Sequence, residues 1–424
     1  MAGMVSQNVF NIVDTAMVGS LGNAALAAVG IGGFTAFTMQ SLIMGVSTGV
    51  QATASRWKGE GRVVETGLVL NAALVLIILV APPFSALLYW FAPVLFPYLN
   101  SDPAVIDNGV PYLQLRILAT VFMGMNFAFR GYWNAVDMSK IYMKTLIGMH
   151  ASNIFLNYIF IFGNFGSPAL GVTGAGLATA LSTVIGVIIY FYLGFRHARS
   201  QGFLRGLPPR SDFSSLIRLS IPASIQQLFF SAGFTVLYWI IGQVGTSELA
   251  AANVLLNVFL VALLPGVGLG LAASTLVGQA LGKGEPADAH RWAWDVVKVA
   301  ILVMGGLGLP MIIIPDVILR VFLHDAATVE LALWPMRVVG CTMVIEAVGV
   351  ILMSALQGAG ATRGTMIVSV TTQWLFFLPL AFVCGPMLGW GLLAIWILQG
   401  CYRLLQAGIF CVFWQRRDWV TIKI

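Results

Sequence analysis

The ten residues GSLGNAALAA at 19–28 return as GQVGTSELAA at 242–251, so that Gly19, Gly22, Leu26, Ala27 and Ala28 meet Gly242, Gly245, Leu249, Ala250 and Ala251. The offset, 223 positions from 19 to 242, holds without a gap well beyond this stretch. It pairs Gly45 with Gly268, Gly59 with Gly282, Gly61 with Gly284, and Lys140 with Arg363. A second match sets Gly174-Ala-Gly176-Leu177 against Gly389-Trp-Gly391-Leu392 at a shorter offset. Two homologous halves are the simplest explanation of such a pattern.

The medium in which those halves fold follows from composition. Of 424 residues, 59% are hydrophobic and 9% charged, and the mean hydropathy is +0.91. A soluble domain carries far more charge. Crossing about 30 Å of hydrocarbon takes roughly 20 apolar residues in a helix. Apolar runs between polar or Gly/Pro breaks predict spans near 1–20, 29–54, 67–90, 111–135, 141–162, 174–195, 214–241, 249–276, 294–315, 331–356, 364–383 and 388–413. The expected fold is all-α and integral to the membrane, with twelve transmembrane helices arranged as two pseudo-symmetric six-helix bundles. The expected boundaries are 1–200 for the first lobe, 201–213 for an exposed cytoplasmic linker, 214–413 for the second lobe and 414–424 for a cytoplasmic tail. The shared offset places the counterpart of Pro222 before Met1, so the first span is expected to lack its opening turn or two.

Charge fixes the orientation. Arg56, Lys58 and Arg62, then Lys140 and Lys144, then Arg196, Arg199, Arg205 and Arg210, then Lys283 and Arg291, then Arg363, and finally Arg416, Arg417 and Lys423 fall on one side. Asp102, Asp107, Glu248 and Asp325 fall on the other, with Arg320 the basic exception. The positive-inside bias therefore puts both termini in the cytoplasm. The net charge of +6 is mainly topological and is not a nucleic-acid footprint, because no basic patch is interleaved with aromatic residues. A secondary reading lets the loop from Arg196 to Arg210 also meet lipid head groups. Cys341, Cys384, Cys401 and Cys411 lie in apolar segments without CxxC spacing, which excludes a disulfide framework or zinc site. The stretch GQALGKGE has too short a spacing between Gly278 and Gly282 for a phosphate loop, and no Ser or Thr follows Lys283. Transport by this chain must then draw on an ion gradient. No intramembrane cluster of Asp, His or Glu suggests a metal site or an enzyme.

Asp14 and Glu346 are the acids well inside spans. A carboxylate at that depth costs about 2.5 to 3.5 kcal/mol on insertion scales and so faces a cavity or the bundle interior. Asp14 is expected in the outer half of the first span, with Gln7, Asn11 and Thr15 on its face. The fifth span carries His150, Asn153 and Asn157 as one stripe, and the sixth adds Thr179 and Thr183. A polar cluster inside the first lobe follows. Desolvation disfavours the charged form of a carboxyl, so Asp14 is expected to take a proton from an acidic exterior and release it when the cavity opens inward. The alternative for Asp14, and more so for the two asparagines, is interhelical glue. Glu346 is either a second cation site or one half of a pair whose partner the sequence leaves open.

Several stretches together resemble the multidrug and toxic compound extrusion (MATE) family, in its DinF-like branch. They are NVFNIVDTAMVGSLGNAALAAVG, GVSTGVQATASRWKGEGR, FRGYWNAVDMSK, NIFLNYIFIFG followed by LGVTGAGLATALS, and VGQALGKGEPADAH. The resemblance covers essentially the whole chain. It implies a V-shaped pair of six-helix bundles in a bacterial inner membrane, exporting cationic amphipathic compounds in exchange for protons or sodium, with no other cofactor. Asp14 stands at the helix 1 aspartate of the DinF-like branch and Asn153 at its helix 5 asparagine, while Asn157 stands where some members have an acid. Glu346 aligns with a helix 10 acid of the NorM-like branch, whose helix 7 acid is missing around Phe230. Met17, Phe37, Gln40 and Met149, with His150, Thr179 and Thr183, are the expected cavity wall, since thioethers and rings accept many shapes. A monomer is expected. The competing transport reading is a flippase for a lipid-linked saccharide, disfavoured by sparse intramembrane cations: Arg116 and Arg337 near outer ends, and Arg403 in the last span.

Overall fold

The structure is a computed structural model that describes residues 13–323, 325–422 and 424. Residues 13–19 form the visible part of a first helix, α1. There follow α2 (Asn23–Gly59), α3 (Thr66–Leu99), α4 (Pro103–Leu118), α5 (Thr120–Ala135), α6 (Ser139–Phe162) and α7 (Gly171–His197). The second series is α8 (Arg210–Gly242), α9 (Thr246–Gly282), α10 (Pro286–Ile313), α11 (Pro315–Arg320), α12 (Ala326–Gly358), α13 (Thr362–Thr371), α14 (Leu378–Phe382) and α15 (Gly391–Arg416). Among the described residues ten helices are long and apolar enough to cross a membrane, α13 and α14 counting within one of them, and the pair α4/α5 makes an eleventh. Eleven of the expected spans thus have their helix, and most of the first, 1–20, lies outside the described residues.

The duplication is visible in the helix boundaries. Shifting α2 by 223 positions gives α9, both 37 residues long. The same shift carries Pro103–Ala135, the limits of α4/α5, onto Ala326–Gly358, the limits of α12. Even the caps correspond: Asp102 accepts a hydrogen bond from the backbone of Ala104, and Asp325 one from Thr328, each satisfying an otherwise unbonded first-turn N–H. For the last span the expected pairing of Gly174 with Gly389 is corrected. Gly171 and Gly391 both open their helices with positive φ, 55° and 75°, so these are the equivalent positions.

Helices extend past the expected ends. At 1.5 Å per residue α2 is about 55 Å long, well beyond the hydrocarbon. Apolarity marks only the part in lipid, whereas caps decide where a helix stops. Two spans are irregular. The fourth breaks at Ala119, where α4 and α5 meet at 47°. Gln40 donates to the Arg116 carbonyl at 3.1 Å, satisfying a group the break sets free. The eleventh contains π-helical turns at Thr372–Phe377 and Val383–Met387, flanked or entered by Pro379 and Pro386, which lack the N–H that an α-helix requires.

The chain divides into two compact units, with the boundary between Ser224 and Ile225 inside α8. The core of the first centres on Trp57, Phe129, Trp133, Tyr190 and Phe203, that of the second on Phe259, Met343, Trp396 and Trp414. With α8 beginning at Arg210, its opening turns thus group with the first unit. The opening turns of α8 pack on α2, where a Cβ at Gly45 would lie 2.5 Å from the Ser220 carbonyl oxygen and one at Gly49 would lie 3.1 Å from Leu216.

The connection at 201–213 is anchored although Leu204, Arg205, Gly206 and Leu207 are exposed. Phe203 is fully buried against Phe129, Phe191 and Phe195. Asn71 of α3 donates to the carbonyls of Gly202 and Gly206 at 2.9 and 2.7 Å and accepts from Leu204 N–H at 2.9 Å. The tail is not loose either. Trp419 stacks on Trp414 with ring centroids 4.1 Å apart and donates its indole N–H to the Trp414 carbonyl.

Candidate functional site

The first-unit cluster rests on three helices. On α6, Asn153 and Asn157 stand one turn apart and are both fully buried. That face can be polar because α1 and α7 supply partners. The Asn157 amide donates to Asp14 Oδ1 at 2.6 Å and to Asn153 Oδ1 at 2.9 Å. Asn153 in turn donates to Thr179 Oγ1 at 3.2 Å and Ser182 Oγ at 3.3 Å on α7. Those hydroxyls donate back to the Ala175 and Thr179 carbonyls. A continuous chain of hydrogen bonds thus runs from the carboxylate into α7. Amide donors on a carboxylate are charge-assisted and short, as the 2.6 Å contact is. The Asn157 Oδ1 atom is buried and has no donor among the described residues, an arrangement that costs about 1 to 3 kcal/mol when left unfilled.

Asp14 itself is half-buried, at the less buried end of the cluster. Arg116 on α4 is close enough for its charge to act on Asp14, and it donates to the Tyr112 hydroxyl at 3.1 Å. Arg116 had been read only as a cation near an outer end.

Of the remaining expected wall residues, Thr15 is exposed and Met17 half-buried on α1, and Phe37 is exposed on α2. Gln40 serves the α4/α5 break. Met149 and Thr183 belong to a separate buried group. There Asn126 donates to the Thr183 carbonyl at 3.0 Å, and a Cβ at Gly186 would collide with Met149 and sit 3.0 Å from Asn126 Oδ1. His150 is half-buried on α6. Gln7 and Asn11 lie outside the described residues. Sequence reasoning missed Ser182 and Asn126. Ser182 is three positions from Thr179 and shared its helical face; nothing in the sequence singled out Asn126.

In the second unit, Glu346 of α12 is 3% exposed and its Oε1 lies 2.7 Å from Nε of Arg403 on α15, itself 10% exposed. Neither atom is aligned for a hydrogen bond, so the contact is one of charge on charge. Arg403 also donates to Gln406 Oε1 at 3.2 Å and lies over the Tyr402 ring at 4.8 Å. The partner that the sequence left open for Glu346 is therefore a guanidinium. Elsewhere in this unit Gln226 binds Ser369 at 2.9 Å and Gln357 at 3.0 Å, joining α8, α12 and α13. No group of three or more potential metal ligands occurs among the described residues.

Fold and sites together define a class: a helical multi-pass membrane protein built twice from one six-span unit, each copy with a buried polar centre. Within that class the chain belongs to the MatE family, whose model matches residues 1–159 and 222–383. It is 27% identical over 404 residues to the probable multidrug resistance protein NorM of Thermotoga maritima, covering 93% of this chain and 85% of that protein. To the multidrug resistance protein PmpM of Pseudomonas aeruginosa it is 27% identical over 390 residues, 91% of this chain and 82% of the other. Among solved structures it resembles an outward-facing multidrug resistance MATE family transporter of the MOP superfamily, with a TM-score of 0.92 at 19% identity, over 100% of this chain and 94% of that one. A MOP superfamily transporter from Pyrococcus furiosus, described as having a binding pocket of reverse polarity and a different function, gives 0.89 at 19% identity over the same shares. At that identity both show the fold alone.

Proposed function

We propose that this protein is a secondary exporter in a bacterial inner membrane. It expels cationic amphipathic compounds in exchange for protons, with Asp14 as the group that binds the proton. The relatives named for multidrug resistance support the cargo class. The observation that carries the coupling role is the placement of Asp14: the carboxyl is half-buried, and the buried Asn157–Asn153 chain holds one of its oxygens.

An ionised Asp14 attracts a cationic compound, and protonation removes that attraction. Proton entry from outside therefore releases cargo, and deprotonation towards the cytoplasm restores the site. Asn157 suits both states. Its amide N–H stabilises the carboxylate, and its unfilled Oδ1 can accept from the acid O–H after a modest turn of the side chain. Alternating access between the two repeats would expose Asp14 to each side in turn.

Sodium coupling through Glu346 is less well supported, because Arg403 already supplies a positive charge at 2.7 Å and repels a second one. The decisive measurement is efflux of a fluorescent cationic dye from proteoliposomes under an imposed pH gradient. Asp14→Asn is expected to fall to the level of protein-free vesicles, and undiminished pH-driven efflux would reject the coupling role. A sodium gradient alone is expected to drive no efflux in the unaltered protein.

A further inference from the structure

The connection between α7 and α8 is held more firmly than a connector requires. Phe203 is buried in an aromatic nest, Asn71 grips the backbone on both sides of it, and Tyr132 bonds Gln201. Leu204, which is not glycine, is kept at φ +54°, a conformation that persists only where the surroundings impose it.

This clamp determines what faces outward. Leu204 and Leu207 are 43% and 54% exposed, as is Phe195 at 52% at the end of α7. Interleaved with them are Arg196, Arg199, Arg205 and Arg210, all exposed. None has an acidic partner. Arg199 spans the Phe195 ring at 5.6 Å and reaches the carbonyls of Phe203 and Leu204 at 3.4 and 3.3 Å. Among the described residues the side chains of Arg196 and Arg205 make no hydrogen bond or ion pair.

Of the other basic side chains on the same side of this unit, Lys140 and Lys144 are exposed on α6 and two more are neutralised by acids. Lys58 pairs with Asp137, and Arg62 sits among Glu60, Glu65 and Asp212. The unpaired guanidinium groups are thus concentrated on one rigid platform, directly after a membrane-crossing helix, with aliphatic side chains beside them.

We propose that this platform is a binding surface for the head group of an anionic phospholipid of the inner leaflet. The guanidinium groups contact the phosphate, while Leu204, Leu207 and Phe195 contact the upper acyl chains. The neighbouring apolar side chains favour a lipid over a soluble phosphate, which would leave them in water.

The test titrates the purified full-length protein in detergent with phosphatidylglycerol, phosphatidylcholine or glycerol 1-phosphate and counts retained lipids by native mass spectrometry. The unaltered protein is expected to retain phosphatidylglycerol in preference to phosphatidylcholine, and glycerol 1-phosphate should not displace it. Arg196→Gln/Arg205→Gln touches no internal contact, so its melting temperature should be unchanged while retention weakens about fivefold per arginine. Arg416→Gln/Arg417→Gln, in the tail, should retain the lipid as before. Undiminished retention by the linker variant, an equal loss in the tail variant, or full competition by glycerol 1-phosphate would each overturn the assignment.

Discussion

Two carboxylates, Asp14 and Glu346, stand well inside the expected spans, and their neighbours give them opposite characters. Asp14 receives a neutral amide at 2.6 Å and is only half-buried, which suits the proton exchange proposed for it. Glu346 is shut away with Arg403. Removing one member of a buried pair strands the other charge and costs about 3 to 5 kcal/mol, whereas replacing both is often tolerated. Arg403→Met should accordingly lower the melting temperature sharply, and Arg403→Met combined with Glu346→Gln should recover most of the loss. Tryptophan fluorescence on heating reads both. Recovery would mark the pair as structural, and failure of the double variant to recover would point to a further role for Glu346. Asn71 is a third decisive side chain. Asn71→Leu removes the donor to the Gly206 carbonyl and the acceptor of the Leu204 N–H, and leaves the Gly202 carbonyl with the Arg205 N–H alone, at about 1 to 3 kcal/mol for each group left unfilled if water does not replace the amide. Faster tryptic cleavage after Arg205 is the expected sign.

At the scale of elements, the two repeats show how one helix pair can be closed by different residues. In the first unit a Cβ on Gly131 of α5 would strike the Ser47 carbonyl of α2. At the equivalent positions of the second unit glycine and serine have changed places: Gly270 of α9 faces Ser354 of α12, and a Cβ there would lie 2.5 Å from the serine hydroxyl. The close approach persists although the glycine has moved to the other helix, because packing depends on the sum of the two side chains. Gly131→Val and Gly270→Val should both destabilise their own unit. The helix caps admit a sharper test. The Asp325 carboxyl lies below its ordinary value of 3.8 because Thr328 donates both its hydroxyl and its backbone N–H. A group lowered in this way contributes above its unfolded value and loses its contribution as the pH falls through the folded one. The difference in melting temperature between Asp325→Ala and the unaltered protein should therefore be full at neutral pH and shrink only below 3.8.

For the molecule as a whole, the basic loops predict that both termini and the α7–α8 connection face the cytoplasm. With the four natural cysteines replaced, a cysteine at Asp107 should react with an impermeant reagent applied to intact cells. One at Ser200 should react only after permeabilisation, and the reverse pattern would invert the topology. Much of this plan was legible beforehand. Hydropathy located the spans, because lipid exposure demands apolar side chains along a whole helix. The offset of 223 positions revealed the duplication, and the loop charges predict the orientation that the labelling would check. Tertiary structure alone decided the pairing of Glu346 with Arg403, the bend at Ala119, the seating of Phe203 under the clasp of Asn71, and the inclusion of the first turns of α8 in the first unit. The physical reason is the same in each case. Inside a membrane the apolar pattern records contact with lipid, which a helix meets by itself, but it is nearly silent about which faces of two helices meet, since lipid tails and neighbouring side chains are equally apolar.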